Sequence, residues 1–77
     1  MPELPRVSGK DAIAAFEAHG FVLDRIRGSH HVLKKPGYMF VLTVPVHANR
    51  PLKTGTLRGL IRGAGLTVEE FVASLSQ

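Results

Sequence analysis

The sequence predicts a small α+β domain, a three-stranded antiparallel sheet with helices on one of its faces. Three observations predict it. Apolar spacing switches from helical to alternating and back to helical along the chain, which gives the order α-β-β-β-α-α. Two-residue turn signals, Gly28-Ser29 and Pro36-Gly37, separate the alternating runs. The length of 77 residues allows one domain, spanning 1–77, and leaves no room for a doubly wound nucleotide-binding sheet or a closed (β/α) barrel.

Each element follows from local chemistry. A first helix begins at Ser8, whose hydroxyl can cap the free amides of the next turn, with Asp11 three residues on as a weak capping box. Ala12, Ile13 and Phe16 keep helical spacing up to a stop at Gly20. Residues 21–27 read as a strand with Phe21 and Leu23 on one face, and 30–35 as its return strand. A third strand is expected over 39–44, with Phe40, Leu42 and Val44 alternating against Val41 and Thr43, and Pro45 limiting its length or marking a sheet edge. After a loop, a helix over about 54–64 presents Leu57, Leu60, Ile61 and Ala64 as a core-facing stripe, with Arg58 and Arg62 on the solvent side. Gly59 and Gly63 each cost that helix about 1 kcal/mol relative to Ala, so it must rely on packing. Thr67 with Glu70 makes a better capping box for a last short helix that buries Phe71, Val72 and Leu75. The sheet face away from the helices is left free to meet a partner.

Composition excludes several function classes. There is no cysteine, so no disulfide, iron–sulfur cluster, thiolate zinc site or cysteine nucleophile. A hydrophobic share of 44% argues against disorder. No apolar run approaches a membrane span, and the opening MPELPRV lacks the apolar core of a signal peptide, so the expectation is a cytoplasmic domain. The net charge of +4 is unevenly placed. Residues 1–24 sum to −2 and the last nine to −2, whereas 25–68 hold eight bases, no acid and three of the four histidines. An acid-free stretch of this kind favours a polyanionic partner, nucleic acid before membrane because no strongly amphipathic basic helix accompanies it. A merely solvated basic surface would look the same.

Among candidate chemical groups, His30-His31 stands directly after Gly28-Ser29. Neighbours on a strand point to opposite faces, so one of the two could serve a site and the other would pack. A histidine can take and return a proton near neutral pH. RNA carries its own nucleophile, so one base beside a 2′-hydroxyl is enough, provided cations hold the adjacent phosphate. Arg25, Arg27, Lys34 and Lys35 flank the turn and could do the holding; an exposed hairpin without function is the competing reading. His47, after Val44-Pro45-Val46, could be a partner acid, an orienting group or a loop residue. A metal site from His30, His31 and His47 is weakly supported, because no Asp or Glu lies between 25 and 68 to complete a shell. His19 is explained by the end of its helix. Ser29 lacks a nucleophile elbow, and the glycines at 55, 59, 63 and 65 form no phosphate-binding loop.

These segments resemble a known family. The order SGKDAIAAFEAHGF, RGSHHVLKK, VLTVPVH, LKTGTLRGLIRGAGLTVEEF is similar to that of the HicA family, the toxin half of HicA–HicB toxin–antitoxin pairs, from about Val7 to Phe71. Its most specific parts are Gly28-Ser29-His30-His31, Val44-Pro45-Val46-His47 and Gly55-Thr56-Leu57-Arg58. The resemblance implies an mRNA-cleaving ribonuclease (mRNA interferase) with a fold like the double-stranded-RNA-binding domain, inhibited by a HicB-type antitoxin. It also implies that His30 is the catalytic histidine, with His31 at a more variable position and His47 at one that is commonly His. The sequence departs from the family at Gly59 and Gly63, where polar or basic helix formers are more typical.

Together these readings lead to a metal-independent endoribonuclease without cofactor. His30 is the general base, Ser29 and His47 are supporting candidates, and Arg25, Arg27, Lys34, Lys35, Lys53 and Arg58 are placed on RNA phosphates. The toxin alone is expected to be monomeric, with assembly through the antitoxin and no membrane contact. The competing classes are a non-catalytic RNA-binding module on the same basic face and a protein-interaction domain.

Overall fold

The computed structural model describes residues 3–75. Their order is α1 (Gly9–Glu17), β1 (Val22–Arg27), β2 (His30–Lys34), β3 (Leu42–Pro45), α2 (Thr54–Gly63) and α3 (Val68–Ser74). The strands form one antiparallel sheet in the order β1-β2-β3. This is the α+β arrangement that the periodicity predicts, with helices packed on one face.

Ser8 caps α1 by accepting from the Asp11 amide at 3.1 Å, which is the Ser8 half of the expected box. The stop expected at Gly20 forms as well: the amides of Gly20 and Phe21 bond back to the carbonyls of Glu17 and Phe16. At α3 the capping box is complete, with Thr67 and Glu70 exchanging side-chain-to-backbone bonds of 2.8 and 3.1 Å. Phe16, Phe21 and Phe71 are fully buried, and the Phe16 ring lies 6.2 Å from Phe21 and 5.2 Å from Phe71. Each such ring contributes about 1.5–3 kcal/mol by burial alone. Leu33, Leu42, Val44, Leu57 and Ile61 complete the seam between sheet and helices. His19 belongs to this framework: its Nε2 lies 2.6 Å from the Ser74 hydroxyl, which itself donates to the Glu70 carbonyl, so the end of α1 is tied to α3. A side-chain contact, more than the helix dipole, thus accounts for it.

The third-strand expectation needs correction. The third strand starts at Leu42, not Met39, because its last pairing is Leu33 with Leu42, and Lys34 of β2 pairs only with Val22 on the β1 side. Met39, Phe40 and Val41 are exposed, so Phe40 is not part of the buried stripe. Tyr38 anchors the connection instead, donating to the Gly63 carbonyl at 2.6 Å and meeting the Phe40 ring at 5.7 Å. The strand extends through Pro45, tolerated because β3 is a sheet edge.

Strand β1 departs from simple alternation. Leu23 pairs with Leu33, but Arg25 pairs with Val32, so Asp24 is the extra residue of a bulge. Simple alternation would put Leu23, Arg25 and Arg27 on one face. The bulge moves Arg25 and Arg27 to the other, where they join His30 and Lys34. Leu23 and Ile26 are left on the helix side of an edge strand whose residues are all exposed.

Candidate active site

Strand alternation separates the two histidines as expected. His30 is exposed on the open face, in register with Arg27 on one side and Pro45 on the other. His31 is half-buried on the helix side and lines a groove with Ile13 and Val46. Directly opposed residues bring their Cβ atoms to about 4.5–5.5 Å, so the Arg27 side chain starts beside that of His30.

The position of His30 is set by backbone bonds. Gly28 has φ +59° while Ser29 keeps a negative φ, the pattern of a type II′ hairpin turn, which glycine adopts without strain. The Ser29 carbonyl then accepts a 2.7 Å bond from the Val46 amide, so the turn is tied to the end of β3. On the helix side, Gly9 meets Pro45 so closely that a Cβ there would collide with the Pro45 carbonyl oxygen. The first turn of α1 thus backs the residue that is the β3 neighbour of His30.

The other sequence candidates divide by location. Arg25 and Lys34 share the open face with His30 and Arg27, but both approach Asp24, at 2.7 and 3.6 Å. The stretch read as acid-free therefore has a carboxylate folded onto its basic face by the bulge. Lys35 lies elsewhere, its ammonium 5.6 Å from the Phe21 ring and 5.9 Å from Tyr38. Arg58 is exposed on α2 and faces a different groove, with Arg62 and Thr67. His47 and Lys53 come together instead. With Pro45, Arg50 and Thr56 they line a groove of about 340 Å³ that begins at the partner of His30. Sequence reasoning misses Arg50, which sits in an aperiodic loop and carries no signal beyond its charge. Among the described residues, no three His, Cys, Asp or Glu side chains gather closely enough to hold a metal ion. Nor is any helix there long and apolar enough to cross a membrane.

The family model for the HicA toxin of bacterial toxin–antitoxin systems matches residues 9–66. The chain belongs to the HicA toxin family. A solved toxin–antitoxin complex from Streptococcus pneumoniae is similar in fold, with a TM-score of 0.65 and 30% sequence identity, over 80% of this chain and 100% of that one. No curated protein sequence matches the chain. The HicA match contains all three segments on which the sequence resemblance rests, and the fold brings them together. Gly28-Ser29-His30 is bonded to Val44-Pro45-Val46 through Ser29 and Val46, and the Gly55–Arg58 segment reaches the same place through Thr56.

Proposed function

We propose that this HicA-family chain is an mRNA-cleaving ribonuclease in which His30 is the general base, and that residues 1–77 act as one toxin domain in the cytoplasm. The observation that supports this best is the placement of His30, exposed on an open sheet face, beside Arg27 and held by the Ser29–Val46 bond. Fixed geometry matters because orientation of the base against the 2′-hydroxyl supplies much of the rate.

His30 takes the proton of an RNA 2′-hydroxyl as the 2′-oxygen attacks the adjacent phosphorus. The bond from phosphorus to the 5′-oxygen breaks, and that oxygen leaves with a proton from solvent. The products are a 2′,3′-cyclic phosphate and a 5′-hydroxyl. Arg27, next to His30, stabilises the charge that builds on the phosphate, while Arg25 and Lys34 hold neighbouring phosphates. The reaction needs no metal in this scheme, because the substrate brings its own nucleophile.

Wild type and His30→Ala compared for RNA binding and RNA cleavage test the reading. Binding retained with cleavage lost supports it, whereas cleavage by both proteins removes His30 from the mechanism. Binding without cleavage by either protein would mark a non-catalytic RNA-binding module. RNA with 2′-methoxy in place of the 2′-hydroxyl should resist cutting, and full activity should persist in excess chelator.

The toxin–antitoxin complex that this chain resembles supports an antitoxin partner. We propose a HicB-type antitoxin whose acidic or neutral surface covers the open face and His30, in a complex that weakens as salt is raised.

A further inference from the structure

Beyond Pro45 the positive surface does not end. The groove holding His47, Arg50, Lys53 and Thr56 adjoins a second one of about 410 Å³, and the two share Arg50, Pro51, Leu52 and Lys53. The second groove adds Arg6, brought there because the N-terminal segment lies along residues 51–52: the Leu52 amide donates to the Val7 carbonyl at 2.7 Å, and Ser8 bridges to Pro51. No Asp or Glu lines either groove. Among the described residues, neither Arg6, Arg50 nor Lys53 has a carboxylate within ion-pair distance, whereas Arg25 and Lys34 are both partly neutralised by Asp24. Arg27 apart, the uncompensated positive charge near His30 is therefore in these grooves, not on the open sheet face.

We infer that the substrate strand crosses His30 and continues into these grooves. Arg50 and Lys53 hold the backbone phosphate next to the scissile one, and Arg6 holds a phosphate further along. This inference rests on the reading of RNA as the substrate. A phosphodiester backbone fits better than an acidic peptide, because the walls offer cations, two hydroxyls and an imidazole among prolines and leucines, but no aromatic anchor of the kind that dominates protein interfaces. The track begins at Pro45, the strand neighbour of His30, so a strand held there is already in line with the base. Arg6 falls in the part of the sequence that sums to net negative charge, which is why composition does not reveal it.

The test is binding of a short labelled single-stranded RNA, followed by fluorescence anisotropy at several salt concentrations in a His30→Ala background that prevents cutting. Arg50→Ala with Lys53→Ala should raise Kd about tenfold and make the salt slope shallower by about 0.7, the share of one neutralised phosphate on a single strand. Arg6→Ala should act in the same direction and more weakly. Arg62→Ala removes one charge from α2 outside both grooves and should leave the slope unchanged. Arg6, Arg50 and Lys53 are exposed, so circular dichroism should show an intact fold. Equal effects of Arg62→Ala and the groove variants would overturn the track, as would a slope that the groove variants do not move. Variants that lose antitoxin affinity while keeping RNA affinity would overturn it too, since the grooves would then be a protein site. Cleavage by the His30-containing proteins separates the two readings. Groove-dependent binding without cleavage by wild type leaves the track standing and removes the ribonuclease. Cleavage and binding unaffected by the groove variants do the reverse, and a wild type that does not bind RNA removes both.

Discussion

The Val46 amide donates a 2.7 Å hydrogen bond to the Ser29 carbonyl, joining the turn before His30 to the end of β3. Both ends of this bond are backbone, so its geometry depends on what braces β3 from behind. That brace is Gly9, packed against the carbonyl of Pro45 and the side chain of Val46.

Gly9→Ala should therefore damage stability and cleavage together. The new methyl meets backbone, not the end of a flexible side chain, so α1 or β3 must move. Overpacking of this sort costs about 1–3 kcal/mol. In a domain of this size, each kcal/mol lowers Tm by about 4–8 °C. Thermal melts and RNA cleavage of the same protein check the link. A lower Tm with undiminished cleavage at low temperature would show that the brace does not position His30.

Gly59 tests the opposite case. It lies exposed in α2, and a Cβ there would meet nothing within 4 Å. Gly59→Ala should stabilise the protein by about 0.5–1 kcal/mol, since only backbone entropy changes. Gly65→Ala should destabilise it, because Gly65 has φ +75° and its Cβ would press on the Tyr38 hydroxyl. Melting temperatures moving in opposite directions are the expected result; a fall for Gly59→Ala would mean that α2 is held by something other than its Leu57–Leu60–Ile61 stripe.

The cap of α3 carries a pH signature. The Thr67 amide, then the Thr67 hydroxyl, and more weakly the charge of His19, hold the Glu70 carboxyl below its usual range against a small opposing effect of burial. A carboxylate lowered in the folded state stabilises fully above its unfolded pKa, and the contribution is lost as pH falls through the folded value. Glu70→Gln keeps a hydrogen-bonding group but no charge. Wild type should therefore melt above Glu70→Gln near neutral pH, and the gap should close as pH drops below about 4.3, the ordinary glutamate value. A gap that persists in acid would assign the difference to packing.

Much of this architecture is legible in the sequence because it is periodic. The α2 stripe, the Thr67–Glu70 box and the opposite faces of His30 and His31 all follow from spacing. The family resemblance adds the choice of His30 over His47, which composition does not make. What escapes is aperiodic. A single extra residue at Asp24 has no signature in an alternating run, yet it reverses the faces of Arg25 and Arg27. Met39–Val41 alternates like a strand, but its pairing with β2 stops at Leu42 and Leu33. Arg6 and Arg50 lie in segments without a period, and only the pairing of residues 7–8 with 51–52 brings them to one track.

Asp24 leads to the last prediction. Its carboxylate is held 2.7 Å from Arg25 and 3.6 Å from Lys34, so two of the open-face cations are partly spent before RNA arrives. Asp24→Asn keeps the shape and removes the charge. The ion pairs are largely exposed, with about half of the Arg25 and Lys34 side chains accessible, and pairs of this kind contribute about 0–1 kcal/mol. Tm should therefore fall by no more than about 8 °C per pair, while RNA affinity at low salt rises about two- to fivefold and the salt slope steepens by up to about 0.7 per freed cation. Binding isotherms of Asp24→Asn and wild type across a salt series measure both. Weaker binding by Asp24→Asn would mean that the carboxylate aims Arg25 at the phosphate, so that the bulge positions the cation and does not restrain it.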